Sequence, residues 1–96
     1  MRELELEIRN PSGLHARPAA IFVRTAAGFR SSVRLENLSD GRTPADAKSI
    51  LSVLGCGVGC GHRVRITADG EDEEQAIATL SALIEAGLGE PLQGPA

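Results

Sequence analysis

His15 is the residue of this sequence with the clearest chemical potential, because it stands where a loop gives way to a predicted helix. Gly13 and Leu14 precede it, and Arg17 and Pro18 follow it. Pro is tolerated in a first helical turn, since the N–H that it lacks would have no partner there. A neutral imidazole is a nucleophile, and the N-terminus of a helix binds anions. This spacing predicts a site for reversible phosphoryl transfer, in which catalysis is mostly positioning and charge stabilisation.

The groups expected to hold the phosphate are the backbone N–H groups of Ala16 and Arg17 and the guanidinium of Arg17. The two N–H groups lack partners at a helix start, and a guanidinium can bind phosphate in a bidentate manner. The alternative is that His15 is an ordinary surface residue at the beginning of a helix. The residues alone leave both explanations open.

Composition narrows the classes of protein that could use such a site. The 96 residues suit one domain and are too few for a deep enzyme cleft with its own supporting layers. The net charge is −3 and the aromatic residues are two Phe, which argues against nucleic acid and anionic membranes as partners. Arginines concentrate in the first third and acidic residues at 71–74, so a locally basic surface should meet a small anion or an acidic partner.

The cellular compartment predicted from the sequence is the cytoplasm. No signal peptide or membrane-spanning apolar run is evident, and Cys56 and Cys60 are too few for a disulfide scaffold. These two thiols and His62 lie close in sequence, but their spacing does not match a zinc site and no second ligand pair follows. We therefore expect free thiols, no metal and no cofactor.

Apolar periodicity predicts four strands and three helices. Alternation of period two predicts strands at 4–8, 33–35 and 64–66, with a short edge strand at 42–45 containing Pro44. Helical spacing predicts helices at 19–26, at 46–54 with Asp46 as N-cap, and at 72–87. The order β-α-β-β-α-β-α, with one apolar face per strand, predicts an α+β fold with helices on one face of a sheet. Residues 1–88 should form a single domain and residues 89–96 a flexible tail.

Two sequence motifs of this chain resemble those of a known family and occur in the same order. Residues 13–19, Gly-Leu-His-Ala-Arg-Pro-Ala, resemble the active-site motif of HPr, the histidine-containing phosphocarrier of the bacterial phosphoenolpyruvate:sugar phosphotransferase system. Lys48-Ser49-Ile50 resembles the second signature of that family, and Gly61, 64–66 and 70–73 resemble its last third. The resemblance covers nearly the whole chain and implies an open-faced β-sandwich: a four-stranded antiparallel sheet with three helices on one face.

The resemblance also implies a role for each motif. His15 would accept a phosphoryl group on Nδ1 from phosphorylated enzyme I, which phosphoenolpyruvate charges, and would pass it to IIA domains of sugar permeases. Arg17 would stabilise the phosphate, and Ser49 would be a regulatory phosphorylation site. The chain would thus be a phosphocarrier and not an independent enzyme. A longer β2–β3 turn, the two cysteines and the extended tail depart from the family pattern.

A docking surface for partners is predicted on the first two helices. Helical spacing places four residues on one side of the first helix: Arg17, Ala20, Ile21 and Arg24. Ile21 should be exposed there, and Ile50, Leu51 and Leu54 of the second helix should extend the surface while Val53 points inward. An apolar centre with a basic rim is typical of a protein interface. Asp46 as N-cap would place Ser49 at the third helical position, beside this surface.

Two alternative functions remain open from the sequence. The first is a regulatory docking protein that acts through Ser49 phosphorylation by a serine kinase and binds a transcription factor; family members used only in that way lack the active-site His. The second is a carrier in a nitrogen-linked or sugar-kinase phosphorelay. In each case we expect a monomer that binds neither nucleic acid nor membrane.

Overall fold

The computed structural model describes residues 1–41 and 43–90, and these form the predicted succession of elements. The strands are β1 (Arg2–Glu7), β2 (Ser32–Asn37), β3 (Ala45–Asp46) and β4 (Arg63–Asp69). The helices are α1 (Ala16–Ala27), α2 (Ile50–Gly55) and α3 (Glu73–Glu85). Within the described residues, no helix is long and apolar enough to span a membrane.

The four strands form one antiparallel sheet in the order β1-β4-β2-β3. The central strands β4 and β2 align Ile66 with Leu35, and the edge strands align Leu4 with Ile66 and Ala45 with Leu35. The two-residue β3 lies at an edge and directly follows Pro44, in agreement with the missing N–H of proline. The predicted α+β open-faced sandwich is confirmed.

The core lies between one face of the sheet and the helices. Side chains of β2 and β4 alternate between buried and more exposed positions, and the buried set faces the helices. The largest fully buried side chains include Val33, Leu35, Val64 and Ile66 of the sheet and Phe22 and Leu80 of the helices. Phe22 and Ala19 bury the inner side of α1, whereas Ala16 and Arg17 at its start are exposed.

The opposite face of the sheet carries charges, as the period-two pattern predicts. Arg65 of β4 lies between Glu5 of β1 and Glu36 of β2, with guanidinium–carboxylate distances of 3.2 and 3.0 Å. Cross-strand pairs of opposite charge support the register, although each partly exposed pair contributes little on its own. These ion pairs link β4 to both of its neighbouring strands.

The start of α2 differs from the prediction. Its N-cap is Ser49, whose Oγ accepts a hydrogen bond from the Ser52 N–H at 3.3 Å, and not Asp46. Asp46 is instead the last residue of β3, where it pairs with Arg34, and its carboxylate accepts a hydrogen bond from the Lys48 N–H. Asp46 is a good cap by residue type, but strand pairing holds it outside the helix. Ser49 is therefore the N-cap and not the third helical residue.

Two other boundaries also differ. The predicted edge strand at 42–45 is reduced to Ala45–Asp46, and Arg42 lies outside the described residues. Leu88 is fully buried, as a domain over 1–88 requires, but Glu90, in the predicted tail, is bound to residues near the start of the chain. The ordered fold thus extends to residue 90, and the remainder of the predicted tail, 91–96, lies outside the described residues.

Asp72 joins the start of α3 to the start of β2. Its carboxylate accepts hydrogen bonds from the Ser31 hydroxyl, from the Arg30 N–H at 2.9 Å and from the Ser31 N–H at 2.9 Å. The Ser31 hydroxyl, followed by the Arg30 N–H, lowers the pKa of Asp72 to about 2. The ionised carboxylate is therefore the form that stabilises the fold.

We expect Asp72→Asn to destabilise the protein at neutral pH and to make little difference near pH 2. A depressed pKa in the folded state contributes stability above the ordinary pKa of Asp, near 4, and this stability is lost as the pH falls towards 2. Urea unfolding of both proteins between pH 7 and 2 measures the difference. Glu71→Gln, at an exposed neighbouring carboxylate, is the control, and a gap between wild type and Asp72→Asn that persists at pH 2 would contradict the assignment.

Candidate functional site

The loop that leads into α1 is pressed against the loop that follows α2. The Leu14 N–H donates to the Val58 carbonyl at 3.0 Å, and the Leu14 side chain is fully buried. Gly13 has φ +61°, and a Cβ at this position would lie 2.4 Å from the Val58 oxygen. Only glycine fits such a close approach of two backbones. These contacts anchor the residue immediately before His15.

His15 occupies the N-cap position of α1, as predicted. Its backbone is extended, with φ −131° and ψ 161°, its side chain is exposed, and it makes no capping hydrogen bond. The imidazole is therefore accessible to a partner and is not consumed in holding the helix end. A capping residue such as Ser or Asp would stabilise the helix better, so His at this position serves something other than helix stability.

Ala16 has a backbone conformation that the sequence did not reveal. Its φ is +53°, in the left-handed region that residues with a Cβ seldom adopt. Holding alanine there costs about 1–3 kcal/mol, and strain of this kind clusters at functional sites. Alanine favours the right-handed helix, so no signal in the residue type could have predicted this conformation.

The groups predicted to bind phosphate make no hydrogen bond or ion pair with the described part of the chain. Neither the Ala16 N–H nor the Arg17 N–H donates a hydrogen bond to another described residue, and the Arg17 side chain is exposed without an ion pair among those residues. Pro18 is buried in the first turn, where it removes one N–H that would otherwise need a partner. An exposed imidazole thus shares the start of α1 with two unpaired N–H groups and a cation.

The docking residues predicted on α2 are exposed. Ile50, Leu51 and Leu54, which we call the apolar patch, are 38, 80 and 37% exposed, while Val53 is fully buried. In a six-residue helix these side chains cannot all reach the core. Since α1 and α2 are in contact, the apolar patch lies near the helix that carries His15.

The outer side of α1 matches the prediction only in part. Arg17 and Arg24 are exposed, and Ala20 is half-buried. Ile21 is half-buried and not exposed as expected, because the C-terminal turn passes over it: a Cβ on Gly89 would lie 3.2 Å from the Ile21 Cδ1. The predicted exposure was wrong since helical spacing cannot show which distant segment covers a side chain.

Three residues near His15 were missed by the sequence analysis. Glu90 accepts hydrogen bonds from the Asn10 amide at 3.0 Å, the Ser12 N–H at 3.0 Å and the Ser12 hydroxyl at 2.7 Å. The Asn10 amide, followed by Ser12, lowers the pKa of Glu90. Glu90 is separated from Ser12 by 78 residues, so local sequence carries no signal for the contact.

The cysteines and His62 have separate surroundings. The buried Cys56 thiol donates to the Leu35 and Thr43 carbonyls, and the exposed Cys60 thiol donates to the Arg9 carbonyl, all at 3.7 Å. The His62 Nδ1 accepts a hydrogen bond from the Gly59 N–H at 3.1 Å. Among residues 1–41 and 43–90, no cluster of three His, Cys, Asp or Glu side chains could hold a metal ion. These residues shape the loop on which Leu14 rests.

Known proteins match this chain over most of its length. The family described as "PTS HPr component phosphorylation site" matches residues 2–86. Crh, an HPr-like protein of Bacillus subtilis, is 41% identical over 88% of this chain and 96% of its own length. The crystal structure of HPr-C-His from Thermoanaerobacter tengcongensis has a TM-score of 0.89 at 47% identity, covering 96% of this chain and all of that one.

A further relative is a much longer protein. The multiphosphoryl transfer protein of Salmonella typhimurium is 45% identical over 90% of this chain, which spans 23% of the length of that relative. The matched region includes His15 and the whole of the sheet. The match of residues 2–86, and the fold that it shares with solved HPr structures, show that this chain belongs to the HPr family of phosphocarrier proteins of the phosphotransferase system.

Proposed function

We propose that this chain carries a phosphoryl group on His15 between phosphorylated enzyme I and IIA domains during phosphoenolpyruvate-dependent sugar uptake. The observation that carries the proposal is the exposed His15 imidazole at a helix start whose Ala16 and Arg17 N–H groups have no other partner. The carrier acts in the cytoplasm as a monomer, without a cofactor.

The transfer itself requires little from the protein beyond positioning. The bond from phosphorus to the donor group breaks as the bond to Nδ1 of His15 forms, and the reverse occurs when a IIA domain accepts the group. The Arg17 guanidinium and the two N–H groups stabilise the charge on the phosphoryl oxygens. The phosphoryl group thus passes from the donor protein to His15 and from His15 to the acceptor protein.

Incubation with phosphoenolpyruvate and an enzyme I, followed by intact mass measurement, tests the proposal. One acid-labile, base-stable phosphoryl group is expected. An unchanged mass with an enzyme I that phosphorylates another HPr would count against it. Transfer onward to a panel of IIA domains would then distinguish sugar uptake from a nitrogen-linked or sugar-kinase relay.

A second proposed role is regulation through Ser49, which lies beside the apolar patch. Similarity to Crh supports this alternative, in which a serine kinase modifies Ser49 and the protein binds a transcription factor. Ser49 is half-buried and its Oγ caps α2. A phosphate there would add nearly two negative charges next to Ile50 and Leu51. Both roles can coexist in one chain.

We expect Ser49→Asp to slow His15 phosphorylation several-fold at subsaturating enzyme I while α2 stays folded. Asp caps a helix as well as Ser does, so the fold is preserved, whereas a charge beside an apolar patch must lose its water when an acidic partner docks. Ser49→Asn is the matched control, because Asn also caps but carries no charge. Equal phosphorylation rates for the Asp and Asn variants would remove the basis for the regulatory role.

A further inference from the structure

The carboxylate of Glu90 binds the loop that precedes His15 at two residues. Its Oε1 accepts from the Asn10 amide and the Ser12 N–H, and its Oε2 accepts from the Ser12 hydroxyl. All three distances fall between 2.7 and 3.0 Å, the range of well-formed hydrogen bonds. One side chain from the end of the fold thus holds two residues of the loop 10–13.

The turn after α3 directs Glu90 to this position. Gly87 and Gly89 have φ of +96° and +85°, and Leu88, which is fully buried, also has a positive φ of +52°. The Leu88 N–H donates to the Leu83 carbonyl, and the Glu90 N–H donates to the Gly87 carbonyl. Burial of the Leu88 side chain thus holds a backbone conformation that would otherwise be unfavourable, and the turn delivers Glu90 as a fixed group.

The amide of Asn10 links Glu90 to Gly13. Asn10 is fully buried, and its amide nitrogen donates both to the Gly13 carbonyl at 2.9 Å and to Glu90. Its Oδ1 is buried without a hydrogen-bond partner among the described residues. The opposite orientation of the amide would place Oδ1 against the Glu90 carboxylate, where two acceptors repel. The Glu90 carboxylate and the Gly13 carbonyl therefore favour the same orientation, in which the amide nitrogen of Asn10 bonds to both.

We propose that Glu90 is a positioning residue for phosphoryl transfer, which fixes the loop 10–13 and through it the backbone of His15. The proposal rests on the function proposed above, because it concerns the rate at the same imidazole. Glu90 acts through Asn10, Ser12 and Gly13 and does not touch the phosphate. The relevant property is its set of three hydrogen bonds and not its charge.

Steady-state kinetics with enzyme I and this chain as phosphoryl acceptor test the proposal. We expect Glu90→Ala to lower kcat roughly tenfold with little change in KM, since small misplacements of a reacting group are costly. Glu90→Gln should approach the wild-type kcat, because its amide can accept from Asn10 and Ser12 N–H and donate to the Ser12 oxygen. Glu85→Gln, at an exposed carboxylate on α3, is the control for charge and should match wild type.

Amide hydrogen exchange tests whether Glu90 holds the loop 10–13, and it does not require phosphoryl transfer. The N–H groups of Ser12 and Gly13 should exchange faster in Glu90→Ala than in wild type, and Glu90→Gln should stay close to wild type. If Glu90→Ala does not fold, Ser12→Ala, which removes the hydroxyl bond alone, replaces it and should show smaller changes of the same kind.

Three results would overturn the proposal: wild-type kcat in Glu90→Ala, a change confined to KM, or a Gln variant as slow as the Ala variant. A wild-type protein that takes no phosphoryl group would instead contradict the proposed function. In that case, unchanged amide exchange at Ser12 and Gly13 in Glu90→Ala would still refute the claim that Glu90 holds the loop 10–13. Faster exchange would support that claim.

Discussion

Replacing His15 with Ala is expected to abolish phosphoryl uptake completely. The imidazole is exposed at the N-cap of α1, and its neighbours in the sequence, Leu14, Ala16 and Arg17, carry no nucleophilic side chain. Intact mass after incubation with phosphoenolpyruvate and enzyme I measures the loss, and Phos-tag electrophoresis gives an independent readout.

The loss should leave the fold unchanged. The His15 side chain makes no capping hydrogen bond, so its removal takes away no interaction that the helix end requires. The thermal unfolding midpoint of His15→Ala should therefore match wild type. His62→Gln, which alters the other histidine of the chain, is the control and should retain one phosphoryl group. Full labelling of His15→Ala would show that the acceptor is another residue.

The second large effect is expected at Arg17. We expect Arg17→Ala to slow transfer by about 10²–10³-fold at saturating partner, the usual cost of removing a donor that stabilises charge in a transition state. The guanidinium has no ion pair among residues 1–41 and 43–90, so it is available to the phosphoryl oxygens. Rapid-quench measurement of His15 phosphorylation gives the rate.

Two variants separate the roles of the Arg17 charge and of its shape. Arg17→Lys keeps the charge but loses the bidentate fork, so its rate should lie between those of Arg17→Ala and wild type. Arg24→Ala removes an exposed cation on the same helix and should raise KM while leaving the saturated rate intact. An unchanged saturated rate in Arg17→Ala would assign Arg17 to docking instead of transfer.

The size of these effects follows from how little the site contains. One exposed imidazole, one exposed guanidinium and two backbone N–H groups share the start of α1. Each group must therefore be held by the fold beneath it. The hydrogen bond from the Leu14 N–H to the Val58 carbonyl and the left-handed conformation of Ala16 supply that support, since both fix the backbone on either side of His15.

The order of the elements and the position of His15 at the start of α1 could both be predicted from the residues alone. Apolar and more polar residues alternate in β2 and β4 because one face of the sheet is buried. Helical spacing likewise places Ala76, Leu80 and Ile84 on the buried side of α3. Both patterns are local. The position of His15 at a helix start was readable because Gly13 and Pro18 restrict the backbone within a few residues. Local chemistry decided these features, so local sequence revealed them.

The start of α2, the burial of Ile21 and the hydrogen bonds of Glu90 depend instead on contacts between segments that are distant in the sequence. Asp46 is a suitable cap by type, but its pairing with Arg34 in the sheet leaves that role to Ser49. Gly89 and Glu90 reach Ile21 and Ser12 from the far end of the chain. Each of these features depends on segments that come into contact only when the helices pack on the sheet. Periodicity and residue preferences are local, so they cannot predict such contacts.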